Sequence, residues 1–169
     1  MAIPDLSYAK KKDNEKPAIL AIETRGWMVG WALAVENQPG DCGRLAARDH
    51  IDGKPVPASQ RVAGVFRGLL NLALEHHVDL IVSEHKSKPG PLWAIPPILA
   101  AALQARYGEL SDWMAELGMD SKQLRSWATV VLGKPPEDEI LSAALGMAAA
   151  ASRVRHREPD LLRPPGVEL

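Results

Sequence analysis

Ala18-Ile19-Leu20-Ala21-Ile22-Glu23-Thr24-Arg25-Gly26-Trp27-Met28-Val29-Gly30-Trp31-Ala32-Leu33-Ala34-Val35 is the stretch that decides the fold. Two apolar runs, Ala18 to Ile22 and Trp27 to Val35, flank the polar insert Glu23-Thr24-Arg25-Gly26. A short continuous apolar run bounded by turn residues fits a strand buried on both faces. Gly26 supplies the tight connection, so the two runs read as a hairpin. A carboxylate that interrupts such a hairpin is out of place as a merely solvated charge, which singles out Glu23.

Working outward, Pro39-Gly40 predicts the next turn, and residues 43–51 a third, more polar strand ending before Asp52-Gly53. Ser59 is the expected N-cap of a helix. Val62, Val65, Phe66, Leu69, Leu70, Ala73 and Leu74 form its apolar face, with Arg61, Arg67, Asn71 and Glu75 on the other side. His76-His77 closes that helix. Asp79 opens a fourth strand, Leu80-Ile81-Val82, which ends at Ser83-Glu84. Lys86 to Pro97 reads as a loop, followed by a helix from about Pro96 to Leu117, with a break near Gly108 as an option and Gly118 as its end. Residues 122–132 fit either helix or strand. Pro135 and Pro136 open a last helix, with Glu137, Asp138 and Glu139 in its first turn. The Ala-rich stretch 143–151 predicts close packing of that helix. The order gives an α/β fold: a mixed sheet, part antiparallel meander and part parallel strands, flanked by helices. Residues 17–155 are expected to form the domain, with a flexible N-terminal arm over 1–16 and a flexible C-terminal tail over 156–169.

The bulk numbers agree with one globular unit of 169 residues, 46% hydrophobic and 24% charged. A net charge of -1 means that any basic surface for nucleic acid must be local. The single cysteine, Cys42, excludes an internal disulfide and a cysteine zinc cluster. No secretory leader and no apolar run of about 18 residues is apparent, so a cytoplasmic setting without membrane contact is expected.

Two apolar strands each end in a carboxylate, Glu23 and Glu84. Open α/β sheets place their sites beyond the carboxyl ends of strands. If the first and fourth strands are neighbours, the two carboxylates lie side by side and need a proton or a cation to coexist. Oxygen ligands suit Mg²⁺ or Mn²⁺. Asp138 and Glu139, at a helix start, supply further carboxylates if that turn docks beside the strand ends. Such a set supports phosphodiester hydrolysis. The bland reading of Asp138 and Glu139 is a favourable interaction with the helix dipole.

These segments resemble the RuvC-like Holliday-junction resolvases of the RNase H-like superfamily. Ala21 to Trp31 resembles their first motif, an apolar strand ending in an acid, then a Gly-containing turn and a strand carrying a Gly. Ile81-Val82-Ser83-Glu84 resembles the second. Leu132-Gly133-Lys134-Pro135-Pro136-Glu137-Asp138-Glu139-Ile140-Leu141-Ser142-Ala143-Ala144 resembles the third, as in short bacterial and phage members. The likeness runs from about residue 18 to 151. It implies an RNase H-like fold and a metal-dependent, structure-selective DNA endonuclease acting on four-way junctions in recombination or repair, encoded by a bacterium or phage. Glu23, Glu84, Asp138 and Glu139 would then be catalytic and hold Mg²⁺ or Mn²⁺. Arg25, Lys86, Lys88 and Lys134 would contact phosphates, and Trp93 would stack on an unpaired base or wedge into the branch. A homodimer is expected by the same analogy.

Three departures open an alternative. Glu23 stands where the family has Asp, Ser142 where a second carboxylate one helical turn after Glu139 is usual, and a basic residue common before the acidic pair is missing. They point to a catalytically degenerate RNase H-fold protein that binds nucleic acid or serves in assembly. A nuclease for RNA or RNA–DNA hybrids is a third reading. His85 is expected to face away from Glu84, because neighbouring strand residues alternate. Trp27, Trp31, Trp113 and Trp127 are assigned to core or interface.

Overall fold

The structure is a computed structural model that describes residues 18–36, 38–84, 90–109, 122–123, 126, 129 and 138–157. Among the described residues the strands are β1 (Ala18–Arg25), β2 (Met28–Val35), β3 (Gln38–Ala46), β4 (His50–Ile51), β5 (Lys54–Pro55), β6 (Leu80–Ser83) and β7 (Arg106–Glu109). The helices whose bounds lie among the described residues are α1 (Ala58–Glu75), α2 (Ile95–Leu103) and α3 (Glu139–Arg157). The main sheet has the order β3-β2-β1-β6-β7, and β4-β5 is a separate two-stranded ribbon. β1, β2 and β3 form an antiparallel meander, while β1, β6 and β7 run parallel. This is the expected mixed α/β architecture.

Alternation along the strands sorts the core into two layers. Ile19 and Ala21 of β1, Ala32 and Ala34 of β2, and Leu80 and Val82 of β6 pack under α3. Leu20, Ile22, Leu33 and Ile81 face the other way, against Leu69 of α1 and Leu99 of α2. The sheet is therefore covered on both faces, which explains why β1 reads as an unbroken apolar run. The α3 layer is lined by small side chains: Ala144, Ala148, Ala150 and Ala151 are all buried. They let the helix lie close to the strands, as its composition predicts.

Several boundaries differ from expectation. The third strand begins at Gln38, not residue 43, and runs through Pro39-Gly40, where a turn was expected. The chain reverses at Glu36, which takes φ 51°. Proline is tolerated because β3 is an edge strand, and the register shifts between Ala32 and Ala34 beside it. The expected strand stops at Ala46, and His50–Ile51 belongs to the separate ribbon. Ser59 is not the N-cap of α1; Pro57 holds that position, without a side-chain capping bond. The helix expected over 96–117 ends at Leu103, where Gln104 turns left-handed, and Arg106–Glu109 form a parallel edge strand. Pairing with β6 overrides the local helical pattern there. Lys122, Gln123, Ser126 and Thr129 are helical, which decides that ambiguous stretch at those positions. The last helix begins at Glu139, later than the prolines implied. Pro135, Pro136, Glu137, the expected N-terminal arm and residues 158–169 of the expected tail lie outside the described residues, as do Trp113 and Trp127. α3 itself continues to Arg157, two residues past the expected domain end.

Candidate functional site

One row across the sheet organises the site. Arg44 of β3 pairs with Gly30 of β2, and Gly30 pairs with Glu23 of β1. The parallel register of β1 on β6 ends at Ile22↔Ser83, so Glu23 and Glu84 are the next residue after a paired position on their two chains. Alternation from Ile19 and Ala21 along β1 puts Glu23 on the α3 side. Both carboxylates thus stand at the carboxyl-terminal side of adjacent parallel strands. They differ in environment: Glu23 is 1% exposed, whereas Glu84 is open to solvent.

The start of α3 closes over this row. Gly30 permits the approach, because a Cβ there would lie 2.5 Å from Cγ2 of Ile140 and 2.8 Å from its carbonyl oxygen. Asp138 caps the helix: Oδ1 accepts from the Ile140 amide at 2.9 Å, and its carbonyl accepts from Ser142 N at 3.0 Å. Its Oδ2 lies 2.9 Å from Nη1 of Arg44. That contact is an ion pair whose angle falls short of a hydrogen bond. Glu139 turns outward to Arg25, whose Nη1 donates to Oε2 at 2.9 Å. Nε of the same guanidinium is 3.5 Å from Oε1 of Glu23. The hydrogen bond to Glu139, with the charge of Glu23 behind it, raises the Arg25 pKa further above its ordinary value, so Arg25 is a permanent cation.

Glu23, Glu84, Asp138 and Glu139 therefore gather at one end of the sheet. The donor chemistry, all carboxylate oxygen, suits a hard divalent ion. The arrangement does not. Among the described residues no group of three or more Asp, Glu, His or Cys side chains is placed to hold a metal. Arg25 spans Glu23 and Glu139, and Arg44 neutralises Asp138. Ser142, at the expected position of a further carboxylate, is buried and 5% exposed.

The other expected contacts divide. Arg25 is 44% exposed and bound to carboxylates at the row. Trp93 is 57% exposed in the turn that leads into α2. That turn starts at Gly90, where a Cβ would lie 3.6 Å from the Gly26 nitrogen, so it borders the β1–β2 turn beside Arg25. Lys86, Lys88, Lys134 and His85 lie outside the described residues. Trp27 and Trp31 pack against the α1 and α2 core.

Sequence reading missed Arg44 and Glu109. Arg44 was one charge in a polar strand, and only the pairing register brings it over Asp138. Glu109 ends β7, a third strand closing on a carboxylate, and was hidden by the helix expected there. It sits on the opposite face, linked through Tyr107, whose hydroxyl is 2.7 Å from Oγ of Ser83 and 3.4 Å from Oε1 of Glu109.

No family model matches the chain, and no curated protein matches it by sequence. Solved structures do. The chain is similar to Thermus thermophilus RuvC, with TM-score 0.61 at 15% identity, over 82% of this chain and 96% of that one. It is also similar to T. thermophilus RuvC solved in complex with a Holliday junction substrate, with TM-score 0.62 at 12% identity, over 88% and 99% of the two chains. The fold is thus that of RuvC, of the RNase H-like class.

Proposed function

We propose that this chain is a structure-selective endonuclease for branched DNA, with the four-way junction as its preferred substrate. The observation that supports this most is the paired Gly30 and Glu23 lying under the capped start of α3, with Glu84 just past the end of the neighbouring strand. It gathers carboxylates at the carboxyl end of a RuvC-like sheet, where such folds place their chemistry. Glu84, open to solvent, is the group assigned to take the proton of an attacking water. Glu23, buried, and Asp138, held by the helix amide and Arg44, keep fixed positions and supply negative charge at the row. Trp93 stands exposed next to the turn that carries Arg25, a suitable place to stack on a base at the branch.

A requirement for Mg²⁺ or Mn²⁺ belongs to this proposal, as do phosphate contacts from Arg25, Lys86, Lys88 and Lys134. The Arg25 bridge must open before Glu23 and Glu139 can serve an ion. A two-fold dimer suits a substrate with two-fold symmetry. A bacterial or phage protein of recombination or repair, working in the cytoplasm, completes the reading. Among the described residues no helix is long and apolar enough to cross a membrane.

A second reading is favoured by a specific observation. Arg25 occupies the space between two of the carboxylates, and Ser142 replaces another, as expected for a protein that binds branched DNA without cutting it. Cleavage of a labelled four-way junction against linear duplex, with Mg²⁺ or Mn²⁺, separates the two. Symmetric nicking that disappears in Glu84→Gln supports the nuclease. Tight junction binding with no product in either metal overturns it in favour of the binder.

A further inference from the structure

We infer that a phosphate group of a polynucleotide backbone seats in a cavity between α1 and the segment joining β3 to β4, held by Arg48, Arg61 and Arg67. The inference rests on the nucleic-acid reading above for the source of the phosphate, but the cavity is defined independently.

The cavity measures about 440 Å³ and takes three arginines in its lining. Among the described residues no carboxylate lines it, and none of the three arginines has an ion-pair partner. In a chain of net charge -1 a cavity lined by three arginines and no acid is unusual. Asp49 feels the charge of Arg61 but is engaged first by His50, at 3.4 Å.

Arg61 is set in place for a ligand. Its guanidinium carbon lies 3.9 Å from the centroid of the Trp27 ring. Stacking fixes the plane and leaves the N–H edge to donate. Its Nε is buried and has no hydrogen-bond partner among the described residues. A buried donor left unsatisfied is costly, and a phosphate oxygen is the acceptor that a guanidinium matches best.

Gly64 supplies the room. It lies mid-way along α1 between Arg61 and Arg67, at three-residue spacing on the same side, and lines the cavity. A Cβ there would meet nothing within 4 Å. Glycine is the least favoured ordinary residue in a helix interior, so an exposed Gly64 with open space above it marks a floor kept clear. Trp27 belongs to the same β1–β2 turn as Arg25, so the cavity and the carboxylate row flank one turn.

The test uses the full chain and two probes. In the first, inorganic phosphate is titrated into ¹⁵N-labelled protein. The Arg61 Nε–H and Gly64 amide resonances should shift, and Gly64→Leu should abolish the response. That variant fills the cavity, keeps every charge and replaces glycine with a better helix former. In the second, binding of a labelled four-way junction is followed by anisotropy across a KCl series. Gly64→Leu and Arg61→Gln should each weaken binding about tenfold. Arg61→Gln should also flatten the slope of log K against log salt by about 0.9. No response of Arg61 to phosphate overturns the site. A phosphate response with junction affinity unchanged in Gly64→Leu overturns the polynucleotide as its source and assigns the cavity to a free phosphate compound. Failure of the wild type to bind any DNA sinks the nuclease and binder readings together, while the phosphate titration still decides the cavity.

Discussion

Nη1 of Arg25 lies 2.9 Å from Oε2 of Glu139, so the end of β1 is tied by charge to the first residue of α3. With Nε turned to Glu23 at 3.5 Å, one guanidinium stands where two carboxylates would otherwise repel. This cation offsets the repulsion between the two carboxylates.

Arg25 and a metal ion should therefore compete. Replacing Arg25 with Gln removes the cation that faces Glu23 and Glu139. Mn²⁺ affinity measured by calorimetry should rise about tenfold, a modest figure because the pair is solvent-screened. Arg25→Lys, which keeps the charge but not the fork, should fall between. Equal affinity in all three proteins would mean that Arg25 does not stand in the way.

Gly30 should tolerate no side chain. In Gly30→Ala the new Cβ meets the backbone of Ile140, which cannot swing aside as a side-chain tip can. We expect a loss of about 1–3 kcal/mol on denaturant unfolding, the usual cost of overpacking. Asp138 and Glu139 should also be displaced from Glu23. A stability equal to wild type would show that α3 does not depend on this close approach.

Asp138 has two partners that one pair of variants can separate. Asp138→Ala loses both the cap on Ile140 N and the pairing with Arg44, and should cost about 1 kcal/mol. Asp138→Ser keeps a capping oxygen and loses only the charge, so it should recover most of that loss. If the serine variant unfolds as early as the alanine one, the Arg44 contact outweighs the cap.

How much of this was legible beforehand depends on what set each element. The β1–β2 hairpin and the strand Leu80–Ser83 declared themselves because burial on both faces demands continuous apolar runs. Glu23 and Glu84 stood out for the same reason, as charges at the ends of those runs. The closeness of α3 to the sheet was written in its alanines. Pairing was not legible. Gln38 to Gly40 joins β3 only because an edge strand accepts a proline, and Arg106–Glu109 becomes β7 only because β6 offers a free parallel edge. Arg25 was expected to meet phosphate; its carboxylate partner Glu139 is 114 positions away, and no local pattern reports such a contact.

Asp49 gives a pH signature outside the site. Its carboxyl is held below the ordinary value, first by the hydrogen bond with His50 and then by its own backbone amide. A depressed carboxylate pKa stabilises the fold above the unfolded value, and that contribution is lost as pH falls through the folded value. A ¹³C NMR titration should place the Asp49 midpoint below that of a model peptide, and His50→Ala should move it back up. A midpoint unmoved by that substitution would remove His50 as the cause.

The alanine layer beneath α3 has a consequence for how this site can change over generations. Because alanine methyl groups, with Leu145 and Met147 among them, set the height of the helix above the strands, the gap between Glu23 and the Asp138–Glu139 pair is written partly in residues two and three turns away. Exchanges such as alanine for glycine or valine in that layer would tilt or lift the helix by fractions of an ångström. They would re-space the carboxylates without altering a single charge. Directed evolution of this fold has its adjustment screw in the core, and the acidic residues themselves can stay as they are.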